Sequence, residues 1–502
     1  MNTEKHSGHG WIAAMCKAAC RAAVAVALVV AATGCATDAL NRAPASHSQP
    51  WHPSLPPPGS GGEAVADTVS LKEGFSVPRD PRMAVLPEGP ALDEDVVYSL
   101  PQLIDIAQRE HPSTQLAWNR ARQAALATGM AEATFLPMLS ANVVGGWQRT
   151  RTPLPLEILG YDPEVKTSVK GVAPFLAVEW LLFDFGQRAA LLEAAEQGSY
   201  AANVLFNAAH QRIILEVTQA YFTHAAAQAQ LRVAEEALAN SRKVQNAVEQ
   251  RLKQGVATTV ELALARQQVA QAVLREVHAR GAQRNAYQGL LAAVGLSPNT
   301  RIRVSGLPER KLPSTAHALT DEAVQMALSQ RPDLQAAYAA VKMAEAGAAA
   351  VEAEFLPKVY LAAVAGASRT NFDVGNLPGL WQRTSSSAVL IGVNLPLYDG
   401  GLRAARLKDA QIRVDDAKSV FQKSQRDAVR EIILAHDMLN TALSSYYAAD
   451  ELVSTASIAY DAALEAYQNG VGTLTMVTEA STGLLDARSA RVDAHAASLA
   501  AA

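Results

Sequence analysis

The chain repeats itself. Ala107–Gly146 aligns without a gap with Ala327–Gly366, and both segments carry Phe-Leu-Pro, at Phe135-Leu136-Pro137 and Phe355-Leu356-Pro357, 220 positions apart. Further on, Phe183-Asp184-Phe185-Gly186-Gln187-Arg188-Ala189-Ala190 matches Tyr398-Asp399-Gly400-Gly401-Leu402-Arg403-Ala404-Ala405 at an offset of 215. That register holds as far as Gln254-Gly255-Val256-Ala257-Thr258 against Asn469-Gly470-Val471-Gly472-Thr473. A duplication of this length requires one structural unit built twice.

Within each unit the hydrophobic period changes at fixed places. From about Leu100 to Ala133 the pattern is helical, interrupted at His111-Pro112, with Ser113 as the expected cap of the resumed helix. The second copy is interrupted at Arg331-Pro332. Both helices are expected to stop at Phe-Leu-Pro, because proline cannot continue them. The period then becomes two. Leu139, Ala141, Val143, Gly145 and Trp147 define one greasy face, as do Leu176, Val178, Trp180 and Leu182, and in the second copy Ile391, Val393, Leu395 and Leu397. The strand near Val359–Ala367 is small and apolar throughout, and its facing is ambiguous. Strands of about 10 residues, apolar on one side and polar on the other, mark a transmembrane barrel with a wet lumen. Trp147, Trp180 and Trp381 in or beside them suit an interfacial girdle. The alternative is a soluble sheet packed on its own helices. Four strands cannot close, since the smallest membrane barrels use about eight, and open edges are forbidden in lipid. The barrel reading therefore demands that several protomers pool their strands.

The remainder is helix. Between Gly186 and Lys253 there is no proline, and Gly198 is the only glycine. A continuous helix over this stretch would reach roughly 100 Å, a coiled-coil length. Leu231, Ala234, Leu238, Ser241, Gln245, Val248 and Leu252 step alternately by 3 and 4, and Tyr446, Ala449, Val453, Ala456, Tyr460, Ala463 and Tyr467 do the same. Both sets form heptad seams. Each long helix runs to a glycine tip, Gly255-Val256-Ala257-Thr258 or Gly470-Val471-Gly472-Thr473, where glycine stops the helix and threonine caps the one that returns. An isolated helical scaffold explains the heptads equally well, but not the strands. The fold expected is mainly α with a small β part: a duplicated long-helix unit plus four β-strands per protomer. The first repeat spans 99–306 and the second 307–502.

The N-terminus speaks to compartment. Lys5, Lys17 and Arg21 precede an apolar run of 12 residues, Ala22–Thr33, too short to span a bilayer. This is the pattern of a secretory signal over residues 1–34. Gly34-Cys35 resembles a bacterial lipobox, which would make Cys35 the first mature residue and a lipid carrier; Ala36 after it suits outer-membrane delivery. An ordinary cleavage site beside a chance cysteine is the alternative. Cys16 and Cys20 fall inside the signal, so the mature chain would hold one thiol and no internal disulfide. Residues 1–34 take three of the 44 Lys+Arg and one of the 48 Asp+Glu, leaving a net charge of −6. No basic cluster with interleaved aromatics appears, so nucleic acid is not an expected partner. Residues 35–98 are rich in proline and glycine, a tether rather than a folded unit.

Chemistry is not indicated. Asp184-Phe185-Gly186 mimics a kinase magnesium motif, but no catalytic loop or phosphate loop accompanies it. Its duplicate, Asp399-Gly400-Gly401, marks both as strand-to-helix turns. The 11 histidines are scattered, with no metal-ligand spacing. No catalytic residue, metal or cofactor is expected.

Taken together, Leu397–Ala405, the degenerate Leu182–Ala190, the paired Phe-Leu-Pro and the Gly-Val-x-Thr tips resemble the TolC-like outer-membrane efflux factors over about Leu100–Ala502. The resemblance implies a homotrimer whose pooled strands form one twelve-stranded barrel in the outer membrane. Its helices would form a periplasmic tunnel, with an inner-membrane pump and a periplasmic adaptor docking at the tips. Many such factors are lipoproteins. The family gates its tunnel with acidic residues after the second tip. The matching position is Glu479, with Thr475 four residues earlier where relatives often carry a bulky apolar side chain, and Leu264 at the equivalent place in the first copy. Three symmetry-related carboxylates would ring a narrow pore and favour cations; a solvated surface glutamate is the alternative. The resemblance implies a passive duct for drugs or other small molecules. The alternatives are the duct of a type I protein secretion system, or a lipid-anchored coiled-coil scaffold without a pore.

Overall fold

The computed structural model describes residues 81–84, 92–153, 164–308, 312–374 and 379–502. The chain divides into two compact units, Met1–Glu88 and Gly89–Ala502. In the first, the described residues form a 3-10 turn at Pro81–Met83. The signal segment, Cys35 and nearly all of the expected tether lie outside the described residues.

The second unit plays the same series of elements twice. In the first copy, α1 (Leu100–Glu110) and α2 (Pro112–Ala133) lead to β2 (Met138–Pro153) and β3 (Glu164–Phe183), then to α3 (Gln187–Lys253) and α4 (Thr259–Val294). In the second, α5 (Asp321–Ser329) and α6 (Pro332–Glu352) lead to β5 (Lys358–Val374) and β6 (Leu380–Asn394), then to α7 (Leu402–Gln468) and α8 (Leu474–Ala501). The folded body starts before Leu100. A short β1 (Val97–Tyr98) pairs in parallel with β4 (Arg303–Val304), and Tyr98 is buried in the core beneath them.

Both long helices have 67 residues. Their beginnings, ends and packing follow from local chemistry. Each starts after a glycine in the left-handed region, Gly186 at φ 93° and Gly401 at φ 88°, and each is followed by another, Gly255 or Gly470. The expected seams are present: no residue of either heptad set is exposed. On α3 a second stripe, Val233, Val244 and Ala247, is also buried, because this helix has neighbours on several sides. It packs against α2 and α6 along one half and against α4 and α8 along the other. Two apolar cores result. One joins α1, α3 and α4 around Leu103, Val217 and Leu290; the other joins α3, α4, α7 and α8 around Val248, Tyr467 and Val477 near the tips.

Several local expectations are corrected. The cap of α2 is His111, whose Nδ1 accepts from the Ser113 amide at 3.1 Å; Pro112 takes the first helical position, where its missing N–H costs nothing. The strands have 16, 20, 17 and 15 residues, longer than the expected ten. Polar residues at their far ends hide the alternation there. Leu395 and Leu397 follow the end of β6. A bulge between Leu181 and Phe183 puts Phe183, not Leu182, in register with the greasy face.

Candidate functional site

The four long strands form one antiparallel sheet in the order β2-β3-β5-β6, so the two hairpins meet through β3 and β5 and the outer strands β2 and β6 have open edges. Register aligns the greasy positions of different strands on one face. Leu139 stands opposite Val178, Val178 opposite Ala363, and Ala363 opposite Val389. The next row reads Ala141, Leu176, Ala365 and Ser387. The ambiguous strand is thereby resolved, with Leu361, Ala363 and Ala365 on the apolar side. This face is bare: Leu139, Val389 and Ile391 are 69%, 69% and 70% exposed. The soluble alternative required these side chains to be covered by the chain's own helices, and they are not. From Trp180 to Lys170 the face spans roughly 26 Å for strands tilted about 40°, close to the height of an apolar membrane band.

The sheet is tied to the helices by a duplicated lock. Asp184 Oδ2 accepts from the Arg188 amide at 3.0 Å and from its Nε at 2.9 Å, so one carboxylate caps α3 and pairs with its first turn. Arg188 Nη1 in turn donates to the Thr134 carbonyl at 3.0 Å, and its guanidinium lies 4.7 Å over the Phe135 ring. In the second copy Asp399 accepts from the Arg403 amide and Nε at 3.1 and 2.6 Å, and Arg403 lies 5.1 Å over Phe355. The two sequence motifs, Phe-Leu-Pro and Asp-x-Gly-x-Arg, are thus halves of one joint. The Arg403 hydrogen bond, ahead of smaller backbone contributions, holds the Asp399 carboxyl below its ordinary range. Phe185 adopts φ 52°, where the second copy has Gly400 at φ 68°. Its ring meets that of Phe183 edge-on, with centroids 4.7 Å apart.

At the other end, both tips turn through glycine as expected. Thr258 caps α4 in a reciprocal capping box with Glu261, whereas Thr473 caps α8 alone through the Met476 amide at 3.3 Å. Gly472 leaves little room for a side chain, since a Cβ there would meet the Tyr467 amide nitrogen at 3.0 Å. Val256 and Val471 protrude, 59% and 84% exposed. Thr475 and Glu479 are exposed on α8, on the side away from Leu474, Val477 and Leu484, which fill the tip core. Leu264 is exposed at the matching place on α4.

A tip contact the sequence did not announce is made by Arg251. Its Nη1 donates to the Tyr467 carbonyl at 2.7 Å, and its guanidinium lies 4.8 Å from the Tyr467 ring, tying α3 to the last turn of α7. Burial first, and then the nearby Glu261 carboxylate, push the Tyr467 phenol above its ordinary value, and Arg251 works against that shift. The duplication concealed this pair, because Arg251 and Leu252 align with Ala466 and Tyr467. Arg251→Met is expected to weaken the tip by about 2 kcal/mol, the worth of a charge-assisted hydrogen bond. Faster hydrogen exchange at Gly470–Thr473 would register it.

Among the described residues no helix is long and apolar enough to cross a membrane, and no cluster of side chains could hold a metal ion. The family model for outer membrane efflux proteins matches residues 103–296 and 323–502, both copies of the unit. The chain belongs to that family. It is an outer-membrane efflux channel and not an enzyme, and its long helices are periplasmic. Among similar proteins, Protein CyaE of Bordetella pertussis is 26% identical over 439 residues, covering 86% of this chain and 88% of that one. The cation efflux system protein CusC of Escherichia coli is 26% identical over 318 residues, covering 62% and 66%. The crystal structure of a membrane protein from Pseudomonas aeruginosa superposes with a TM-score of 0.68 at 23% identity, covering 83% of this chain and 96% of that one.

Proposed function

We propose that three copies of this chain pool their sheets into one twelve-stranded barrel, forming the outer-membrane duct of a tripartite export system. The observation that carries this is the pairing of two open strand edges with a bare apolar face. In lipid, unpaired backbone groups are intolerable, and joining β6 of one copy to β2 of the next removes every edge. The duct passes small molecules delivered by an inner-membrane pump through a periplasmic adaptor. The tips are the adaptor's docking points: Gly255, Val256 and Thr258 on one side, and Gly470, Val471, Gly472 and Thr473 on the other, each presenting an exposed valine. Residues 1–34 act as a lipoprotein signal. Cys35 carries the lipid, and the segment to residue 98 is a tether ending at β1.

The test is assembly and conduction. Heat-modifiable trimers from outer-membrane fractions that conduct in planar bilayers support the duct; a monomer without conductance sinks it. In this reading Glu479, with Thr475 one turn earlier, lines the periplasmic gate as a threefold acidic ring. Glu479→Ala is expected to leave the trimer intact and to make closed channels leakier and less cation-preferring. Unchanged single-channel conductance and selectivity would remove Glu479 from the gate.

A further inference from the structure

The half of the sheet farthest from the helices is charged on one face only. Lys166, Lys170, Arg149, Arg151, Arg369 and Arg383 all occupy register positions on the same face as Trp147 and Trp381, and the opposite face carries no charge over the same rows. Two of the cross-strand pairs are like-charged: Arg369 stands directly opposite Arg383, and Arg151 opposite Lys166. Like charges directly opposite destabilise a sheet. Among the described residues none of the six cations forms an ion pair there, and Arg149 lies over the Trp147 ring at 5.3 Å. Two carboxylates hold register positions on this face: Asp373, which accepts from Ser168 Oγ at 3.1 Å, and Glu164, opposite Pro153 at the start of β3.

The cations flank a groove. Trp147, Lys170, Asn371 and Trp381 form one row across the four strands, and Gly145, Val172, Arg369 and Arg383 form the next row toward the helices. The groove runs between the two tryptophans, floored where Gly145 has no side chain, with Lys170, Arg369 and Arg383 in its walls.

We propose that this groove binds the phosphorylated sugar headgroup of a glycolipid in the outward leaflet. The proposal rests on the barrel reading of the sheet. On that reading the apolar rows face acyl chains, the tryptophans lie at the lipid–water boundary with Lys170 in their row, and Arg369 and Arg383, one row toward the acyl chains, snorkel their guanidinium groups to the headgroups. The helices are periplasmic, so this end of the sheet faces outward. Arginine forks match phosphate oxygens bidentately, and a doubly phosphorylated headgroup neutralises several cations at once where a single phosphodiester cannot. Built this way, the like-charged pairs form a receptor for an anion, and the barrel is completed by its lipid.

The test uses the purified full-chain trimer, with lipid A as the doubly phosphorylated probe and phosphatidylglycerol as the single-phosphate comparison, retention being counted by native mass spectrometry. Lipid A is expected to be retained selectively, and the double variant Arg369→Gln/Arg383→Gln to bind it about tenfold more weakly. Heat stability gives a second signature. Without lipid the double variant is at least as stable as the parent, because repulsion is relieved; with lipid A the order reverses. Should the double variant not assemble, Lys170→Gln carries the same retention test. Undiminished retention in the variants, or equal retention of phosphatidylglycerol, overturns the site. A chain that gives neither trimer nor conductance refutes the barrel itself, an outcome distinct from a conducting trimer that ignores lipid A.

Discussion

Asp184→Ala is expected to destabilise the protein by about 3–5 kcal/mol, the cost of leaving a buried cation without its partner. The side chains of Arg188 and Asp184 are 9% and 6% exposed, so water cannot take over the lost contact. The variant strands a guanidinium already committed to the Thr134 carbonyl and the Phe135 ring, and it uncaps the first turn of α3. The joint between sheet and helix loosens as a whole. Asp399→Ala removes the same atoms from a joint whose side chains are 11% and 27% exposed, and its effect is smaller. The second joint also reports on acid. The Asp399 carboxyl is held below its ordinary value, so its contribution is complete above the unfolded-state value and is lost as pH falls through the folded one. The measurement is the temperature at which the trimer band dissociates on semi-native gels, compared across Asp184→Ala, Asp184→Asn and Asp399→Ala. Equal, small shifts for all three would show that the lock is decorative.

The joint also shows what the sequence made legible. Duplication located Phe-Leu-Pro and Asp-x-Gly-x-Arg, and proline and glycine chemistry assigned each to a turn. Nothing in one dimension said that the two motifs touch, since Arg188 and Thr134 lie 54 residues apart. The 67-residue helices were visible from missing proline and from heptads, because both are local signals. Strand length was not visible. Beyond Trp147 and before Val172 the outward residues turn from apolar to cationic, and a pattern tuned to grease stops where the headgroup rows begin. The second copy's small-residue strand, Lys358–Val374, had no readable face until register with β3 assigned one. Arg251 was missed for the opposite reason. Its contact with Tyr467 exists because the two copies differ, and a duplication marks only what they share. Glu479 is legible only by resemblance, and the single chain places it on an exposed face.

Adjacent residues in β3 should respond in opposite ways to the same charge. Leu176 lies near the middle of the apolar face, 52% exposed, between Ala141 and Ala365; Ala177 points to the other face, between Ser140 and Val364. In a barrel, Leu176→Arg places a guanidinium against acyl chains near mid-bilayer, at about 2–4 kcal/mol per protomer and roughly 6–12 kcal/mol per trimer. Ala177→Arg places it in a water-filled lumen, where it costs little and shifts ion selectivity toward anions. The predicted contrast is loss of heat-resistant trimer and of outer-membrane yield for Leu176→Arg, against normal assembly with altered selectivity for Ala177→Arg. A sheet that buried its apolar face within its own subunit would also reject arginine at 176, but it would show no conductance for the neighbour to alter. A register slipped by one residue would exchange the two phenotypes, because pleating sends consecutive side chains to opposite faces. Only a membrane wall in the observed register gives an intolerant 176 beside a permissive, selectivity-setting 177.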